Sequence, residues 1–323
     1  MKNNSFKRNR KSSTIDQSKS VKIVGFPLKK DMKVSELIKS SGSLGFQASH
    51  LSCAAEIIKK MKNDRCKIFL SITSNIISSG LREIVAQLCE QKKIAAIITT
   101  TGSIEEDFMK ASSNFILGSF DMDDNEVKEN NMNRIGNILV ADKSYCDFEE
   151  FNMKFLEKLS KEKTHYSPSE YCRLLGMQLK DRSSVLYWCA KNDIPIYCPG
   201  IVDGAIGDHI YFFNMKAKNR FVFDVNKDIE LFYNQLLQPD KTAGIIIGGS
   251  LPKHHLIGAA ILRDGLDYAV YVSTGTEYDG SLSGAKPKEA TSWNKLKDVN
   301  NSAIINAEAT IVFPLIAYAL LYG

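Results

Sequence analysis

Ala243-Gly-Ile-Ile-Ile-Gly-Gly249 is apolar along its whole length, with none of the polar alternation of a half-exposed strand. A strand of that kind is buried on both faces. Lys67-Ile-Phe-Leu-Ser-Ile72, Ile94-Ala-Ala-Ile-Ile-Thr-Thr100, Tyr268-Ala-Val-Tyr-Val272 and Ala303-Ile-Ile-Asn306 read in the same way, and Asn137-Ile-Leu-Val140 and Ile194-Pro-Ile-Tyr-Cys198 are further strands. Longer segments with helical spacing lie between them. Ile76 to Gln91 puts Ile77, Leu81, Ile84, Val85 and Leu88 on one side, and helices are expected from Ile104 and at about 148–163, 182–192 and 227–238. Residues 210–214 and 220–224 read as short β-like runs. Ala309 to Leu321 reads as a buried helix, well short of the ~20 apolar residues that span a bilayer. Strands buried on both faces and separated by helices imply an α/β fold: a doubly wound, mainly parallel sheet with helices on both sides. No repeat and no Pro/Ser/Gly-rich linker divides the body, so residues 21–323 are expected to form a single domain.

The 323 residues are 44% hydrophobic and 24% charged, as in a soluble globular protein. The net charge of +5 belongs to residues 1–20, where Lys2, Lys7, Arg8, Arg10, Lys11 and Lys19 face a single Asp16. This basic tail has too few apolar residues to fold alone. It could touch nucleic acid or an acidic partner, or simply be solvated; the second is the expectation, so neither a nucleic-acid partner nor a membrane is inferred. It has no apolar core of a secretory signal. The seven cysteines are scattered and never spaced CxxC, which argues for reduced thiols in an intracellular, cytoplasmic protein and against a metal site. His50, His165 and His209 are isolated, and only His254 and His255 are neighbours.

In a doubly wound sheet, ligands bind beyond the carboxyl ends of the strands. The segments that follow the expected strands are all polar. Thr73-Ser-Asn-Ile-Ile-Ser-Ser-Gly80 is a small polar turn opening a helix, suited to a phosphate. Thr101-Gly-Ser-Ile-Glu-Glu-Asp107 places three acids at the start of a helix, where they could serve a ligand or simply complement the helix dipole. Asp203-Gly-Ala-Ile-Gly-Asp208 sets two carboxylates in a glycine-rich turn, and Lys253-His-His255 follows the strand first quoted. After strand 268–272 comes a glycine-punctuated loop running from Glu277 to Lys295. It brings Glu277, Asp279 and Glu289 near Lys295, with Trp293, one of two tryptophans, between. A lysine held against an indole and carboxylates can act as a nucleophile. The alternative is a surface loop whose Trp plugs the core. Together, the strand ends describe a site for a dinucleotide and an amine or polycationic substrate, without the GxGxxG fingerprint of a standard Rossmann site.

Thr73–Gly80, Gly102-Ser-Ile-Glu-Glu-Asp107, Asn133-Arg-Ile-Gly-Asn137, Asp203–Asp208, Lys253-His-His255 and Ser292-Trp-Asn-Lys295 resemble, in order, the motifs of the deoxyhypusine synthase family. The likeness runs from about Gly45-Phe-Gln-Ala48 to Val312-Phe-Pro-Leu315. It implies NAD-dependent transfer of the aminobutyl group of spermidine, through an imine on an enzyme lysine, to one lysine of the initiation factor 5A precursor. By the resemblance, Lys295 is the imine-forming nucleophile and His254 the acid/base, and Trp293 beside Lys295 can exclude water. NAD contacts fall on Ser74, Asn75, Ile76, Ile77, Ser78, Thr100, Thr101, Gly102, Glu106, Asp203, Thr274, Gly275, Glu308 and Ala309. Polyamine contacts fall on Glu105, Glu106, Asp208, Gly249, His254, Gly280, Ser281, Leu282, Glu289, Trp293 and Lys295. A homotetramer with active sites at dimer interfaces is implied as well.

The sequence also departs from the family pattern. Leu282 stands where the family has an acid that holds one end of spermidine; losing a charge-assisted contact would weaken binding by roughly 1.5–3 kcal/mol, or about ten- to a hundredfold. Asn294 replaces a glycine before the lysine, Glu308 replaces an Asp near the NAD ribose, and Ser103 and Ser250 replace glycines. Two alternatives stand beside the leading reading: homospermidine synthase-like transfer to a free amine, motivated by Leu282, and a weakly active subunit of a mixed tetramer, motivated by the changes around Lys295.

Overall fold

The computed structural model describes residues 21–323; the basic tail read at 1–20 lies outside the described residues. Six parallel strands form the central sheet: β1 (Lys67–Ile72), β2 (Ala96–Ile98), β7 (Ile196–Tyr197), β9 (Thr242–Ile247), β10 (Tyr268–Ser273) and β11 (Ser302–Asn306). Their order is β11-β10-β9-β1-β2-β7. The chain winds outward from β1 to β7, then returns to the other side of β1 at β9, so the switch point lies between β1 and β9. Leu70 sits in register between Ile245 and Ile97.

The unalternated strands are buried on both faces, as their composition predicts. Ile68, Leu70, Ile72, Ile245, Ile247, Val270 and Val272 turn to one core. It is shared with α2 (Gln47–Asn63), α3 (Arg82–Glu90), α4 (Thr101–Lys110), α6 (Asp142–Glu162), α7 (Pro168–Gly176), α8 (Val185–Asn192) and α13 (Ala309–Tyr322). Phe69, Ile98, Ile246, Ala269 and Tyr271, one residue out of step, turn to a second core under α10 (Val225–Leu236) and α11 (Ser250–Ala259). The parallel α/β class is therefore as expected.

Several elements differ from the sequence reading. Asn137–Val140 lies mostly in β5 (Ile138–Ala141), which pairs with β3 (Ile116–Leu117) and β4 (Met132–Ile135) in a separate antiparallel sheet. Residues 220–224 supply β8 (Val222–Phe223), paired with β6 (His165–Tyr166) away from the main sheet. Residues 210–214 are helical, within α9 (Ala205–Lys216). Ile206, His209 and Phe213 bury one face of that helix while Tyr211, Phe212 and Met215 stay exposed, so an aromatic outer face blurs the helical period. The helix expected from Ile76 to Gln91 is divided: Gly80, at φ 92°, kinks the chain within Ile77–Leu81, and α3 follows. The remaining helices are α1 (Val34–Ser40), α5 (Asp124–Glu129) and α12 (Pro287–Ser292).

Candidate active site

At the switch point the carboxyl ends of β1, β9, β10 and β11 open into a cavity of about 440 Å³. Asn75 and Ile76, Gly249, Thr274 and Gly275, and Glu308 and Ala309 line it, joined by Thr73, Ser283 and Thr310. The backbone approaches closely here. A Cβ on Gly102 would stand 2.7 Å from the Ser74 Cβ, and one on Gly249 would meet the Ser283 Oγ at 2.3 Å. Ser74 N–H donates to the Thr100 Oγ1 at 3.1 Å, tying the turn after β1 to the start of α4. Glu308 caps α13, accepting from Thr310 N at 2.9 Å, and its exposed carboxylate stands at the rim. An acid at this place in a doubly wound sheet suits ribose hydroxyls, and the glycine-tight turns suit a pyrophosphate. The residues present therefore fit a dinucleotide.

Behind the turn lie the two glutamates. The helix α4 begins at Thr101 rather than Ile104, so Glu105, Glu106 and Asp107 fall in its second turn and are buried. Capping by the dipole is thus not their role, a correction to the first-turn reading. Glu106 accepts a short hydrogen bond from the Ser78 Oγ, and Ile77 is buried beside it. Glu105 accepts from Ile206 N–H at 2.6 Å, at the opening of α9. Burial pushes each of them up to about 7; Glu105 also feels Asp208 and Asp203, and Glu106 feels Glu105. Asp203 is exposed on the turn that leads into α9, and Asp208 is exposed in the first turn of that helix. Asp107 belongs to a different network. It accepts from Arg82 Nε at 2.6 Å, from Ser184 Oγ at 2.7 Å, and from the amides of Val185 and Leu186 at 3.0 and 2.8 Å, locking α3 and α8 together.

Lys295 lies in a second, narrow cleft on the opposite face of the loop Ser281–Ala285. Its Nζ stands 5.1 Å from the centre of the Trp293 ring. Leu282, Glu289, Trp293, Lys253, Tyr271 and Lys286 line the cleft with it. Trp293 is 61% exposed, so in the single chain it does not plug the core; the buried tryptophan is Trp188, at 5%. Gly280 and Ser281 are exposed at the tip, where Asp279 accepts from Ser281 N–H at 2.7 Å. The loop is pinned from both sides. Ser283 Oγ accepts from Ser250 N–H at 3.1 Å, and the Ser273 hydroxyl donates to the Ser283 carbonyl at 3.1 Å. One chain does not gather every expected residue. Glu105, Glu106, Asp203, Asp208 and His254 line neither the cleft nor the switch-point cavity, and His254 is on the exposed side of α11.

The sequence profile of the deoxyhypusine synthase family matches residues 36–320. This chain belongs to the deoxyhypusine synthase family. A deoxyhypusine synthase of Kluyveromyces lactis is 39% identical, over 91% of this chain and 89% of its own length. One of Candida glabrata is 39% identical over 90% of this chain and 86% of its own. The crystal structure of a deoxyhypusine synthase homologue of Entamoeba histolytica superposes with TM-score 0.66 at 25% identity, covering 92% of this chain and 96% of that one.

Against the deoxyhypusine synthase pattern, the departures fall into two kinds. Asn294 takes φ 54°, the left-handed region, so it keeps the backbone shape that a glycine would adopt before Lys295. Ser250 does the same at φ 56°, and Ser103, buried in α4, accepts from the Thr99 hydroxyl at 2.6 Å. These three are accommodated. Leu282 is not a mimic: its side chain packs on the second core beside the cleft and offers no acceptor to an ammonium. Among the polar residues of the cleft, Lys253, Tyr271 and Lys286 went unassigned in the sequence. Lys253 is 2% exposed, and donates to the carbonyls of Leu282 at 2.6 Å and Ala285 at 2.9 Å. Burial, with the Lys295 ammonium nearby, brings it down to about 8 against the pull of Glu289. Its spacing from Leu256 and Ile257 is that of a core-facing helix position, which was the available signal.

Proposed function

We propose that this chain is an NAD-dependent aminobutyltransferase, a deoxyhypusine synthase that moves the aminobutyl group of spermidine to one lysine of the initiation factor 5A precursor. The observation that supports it most directly is Lys295 beside Trp293 and Glu289, one loop away from a dinucleotide-sized cavity at the switch point. In this reading Asn75, Thr274, Gly275 and Glu308 hold NAD, with Ser74 to Ser78 and Thr100 to Gly102 shaping the turn beneath it. When bound, NAD would accept a hydride from spermidine and return it to the final imine. The Lys295 amine attacks the oxidised carbon of the donor and 1,3-diaminopropane leaves, so that the aminobutyl group is held as a lysine imine. The factor's lysine then displaces Lys295. His254, exposed to water, would carry protons between the amines and solvent.

Glu105, Glu106 and Asp208 are the carboxylates suited to the ammonium groups of spermidine, yet they stand apart from Lys295 within one chain. We therefore propose a homotetramer in which a dimer interface joins the acids of one subunit to the lysine cleft of the next. No described helix is long and apolar enough to cross a membrane, and a cytoplasmic location is part of the proposal.

The test is to incubate the protein with NAD and labelled spermidine, with and without the factor, and to trap with borohydride. Label on Lys295, then on the factor, is the expected result; absence of label from Lys295 overturns the proposal. Leu282 favours a second reading, transfer to a free amine. Label recovered in homospermidine when putrescine is supplied would support that instead, and label that requires an added paralogue would point to a mixed tetramer.

A further inference from the structure

Three buried polar side chains form a relay across the core. Tyr171 of α7 and Asn152 of α6 are each 0% exposed, and His209 of α9 is 5% exposed. The Tyr171 hydroxyl donates to the Asn152 Oδ1 at 2.6 Å, and the Asn152 Nδ2 lies 3.1 Å from the His209 Nδ1. Phe148 meets the imidazole edge-on at 5.2 Å between ring centres, and Phe155 lies 5.8 Å from the Tyr171 ring. Because Tyr171 donates, Asn152 turns its amide hydrogens toward Nδ1. That nitrogen is therefore the acceptor, and the neutral ring carries its proton on Nε2. Polar groups in such apolar surroundings are costly unless satisfied, so the relay holds α6, α7 and α9 in one mutual arrangement.

The helix α9 opens at Gly204 with no side-chain cap, and it carries Asp208 and the Ile206 amide that binds Glu105 at 2.6 Å. It buries Ile206, His209 and Phe213. The two apolar contacts tolerate small rotations, whereas a hydrogen bond is directional. We propose that His209 is a positioning residue for polyamine binding: its bond from Asn152 fixes the rotation of α9, and with it Asp208 and the amide that holds Glu105. This deepens the aminobutyltransferase reading and rests on it. The arrangement requires a neutral ring, because a proton on Nδ1 would face the Asn152 N–H. Burial brings the ring below its ordinary range, while Glu149 of α6 and Asp208 of α9 pull the other way. Burial, with Cys172 and Glu105 nearby, pushes the Tyr171 hydroxyl well up, so it stays a donor. The relay is thus intact at neutral pH and is lost as pH falls through the titration of the ring.

The wild type is assayed first: failure to trap label on Lys295 sinks the aminobutyltransferase reading itself, separately from this proposal. Given a working wild type, His209→Leu is expected to raise the KM for spermidine about three- to tenfold, the range of one neutral hydrogen bond, with kcat within about twofold. His209→Asn, whose side-chain oxygen can accept in place of Nδ1, should return the KM at pH 8 to within about twofold of wild type. Between pH 8 and 5.5 the wild-type KM should rise about threefold more than that of His209→Asn, which cannot titrate; Glu105 and Glu106 titrate in both proteins and cancel in the ratio. An unchanged KM in His209→Leu, whatever its melting temperature, or a ratio that stays flat with pH, overturns the proposal. Should the His209 variants not fold, Asn152→Asp decides. Its carboxylate accepts from Tyr171 and from a protonated His209 alike, so the extra rise of KM at acid pH should vanish, and its persistence overturns the proposal. If none of the variants folds, the relay serves the core and the proposal is overturned as well.

Discussion

Asn294 shows how one residue preserves a backbone that its replacement would disturb. At φ 54° the amide side chain is among those that tolerate the left-handed region, and Lys295 follows directly. Asn294→Gly is therefore expected to leave both stability and spermidine turnover close to wild type, whereas Asn294→Ala should cost about 1 kcal/mol in urea unfolding. Equal midpoints for the two variants would refute the assignment. Leu282 is the opposite case, a change of chemistry with the backbone held in place by Lys253. Leu282→Asp would restore an acid to the cleft and is expected to lower the KM for spermidine about tenfold. A KM that does not move would mean this leucine is not what sets affinity. Trp293 was readable as a member of the site but not as an exposed one, because exposure depends on what covers the loop and not on its sequence.

Among the elements, α4 combines two functions on successive residues. Glu105 and Glu106 are held by the Ile206 N–H and the Ser78 hydroxyl, while Asp107 turns away to Arg82, and both partners of that pair are almost completely buried. Removing one partner leaves a buried charge uncompensated. Arg82→Met should therefore destabilise by about 3–5 kcal/mol in chemical unfolding, and a loss under 1 kcal/mol would contradict the hub role of Asp107. The glutamates predict a pH dependence of the opposite sign to that of ordinary salt-bridged acids. Each is raised from 4.5 to about 7 in the folded chain. Between these values the folded state keeps protons that the unfolded state releases, so stability falls as pH rises through that window, by on the order of 3 kcal/mol for each glutamate, and levels off above it. The Glu105→Gln/Glu106→Gln double variant retains both acceptors and should lose this slope, as measured by urea midpoints from pH 5 to 8. The acids were legible in the sequence, but their burial was not: the helix starts three residues earlier than its apolar spacing suggests, because Gly102 lets it pack against Ser74.

For the whole molecule, the separation of the Lys295 cleft from Glu105, Glu106 and Asp208 leads to a test of assembly. If two subunits share each site, inactive Lys295→Ala and Asp208→Ala chains will complement one another when coexpressed. A mixed dimer then has one site with both residues intact, and random pairing should restore about a quarter of wild-type activity. No recovery on mixing would mean that each subunit builds its site alone. The exposed aromatic face of α9, with Tyr211, Phe212 and Met215, is where the local pattern misread a helix as a strand. A face apolar on both sides has no period for the sequence to display.

The chain's own residues determined the class of fold and the family. Runs such as 243–249 must bury both faces, which only a covered parallel sheet allows, and the ordered motifs from Thr73 to Lys295 are local and survive translation into any model of the fold. Tertiary structure alone decided which polar groups are buried and which are joined: Lys253 under the loop, Tyr271 without a partner among the described residues, Trp293 in the open, and the acids apart from Lys295. The reason is physical. Periodicity reports which face of an element meets the core, whereas burial of a particular hydroxyl or ammonium depends on strand order and on contacts between residues far apart in the chain, which no local pattern encodes.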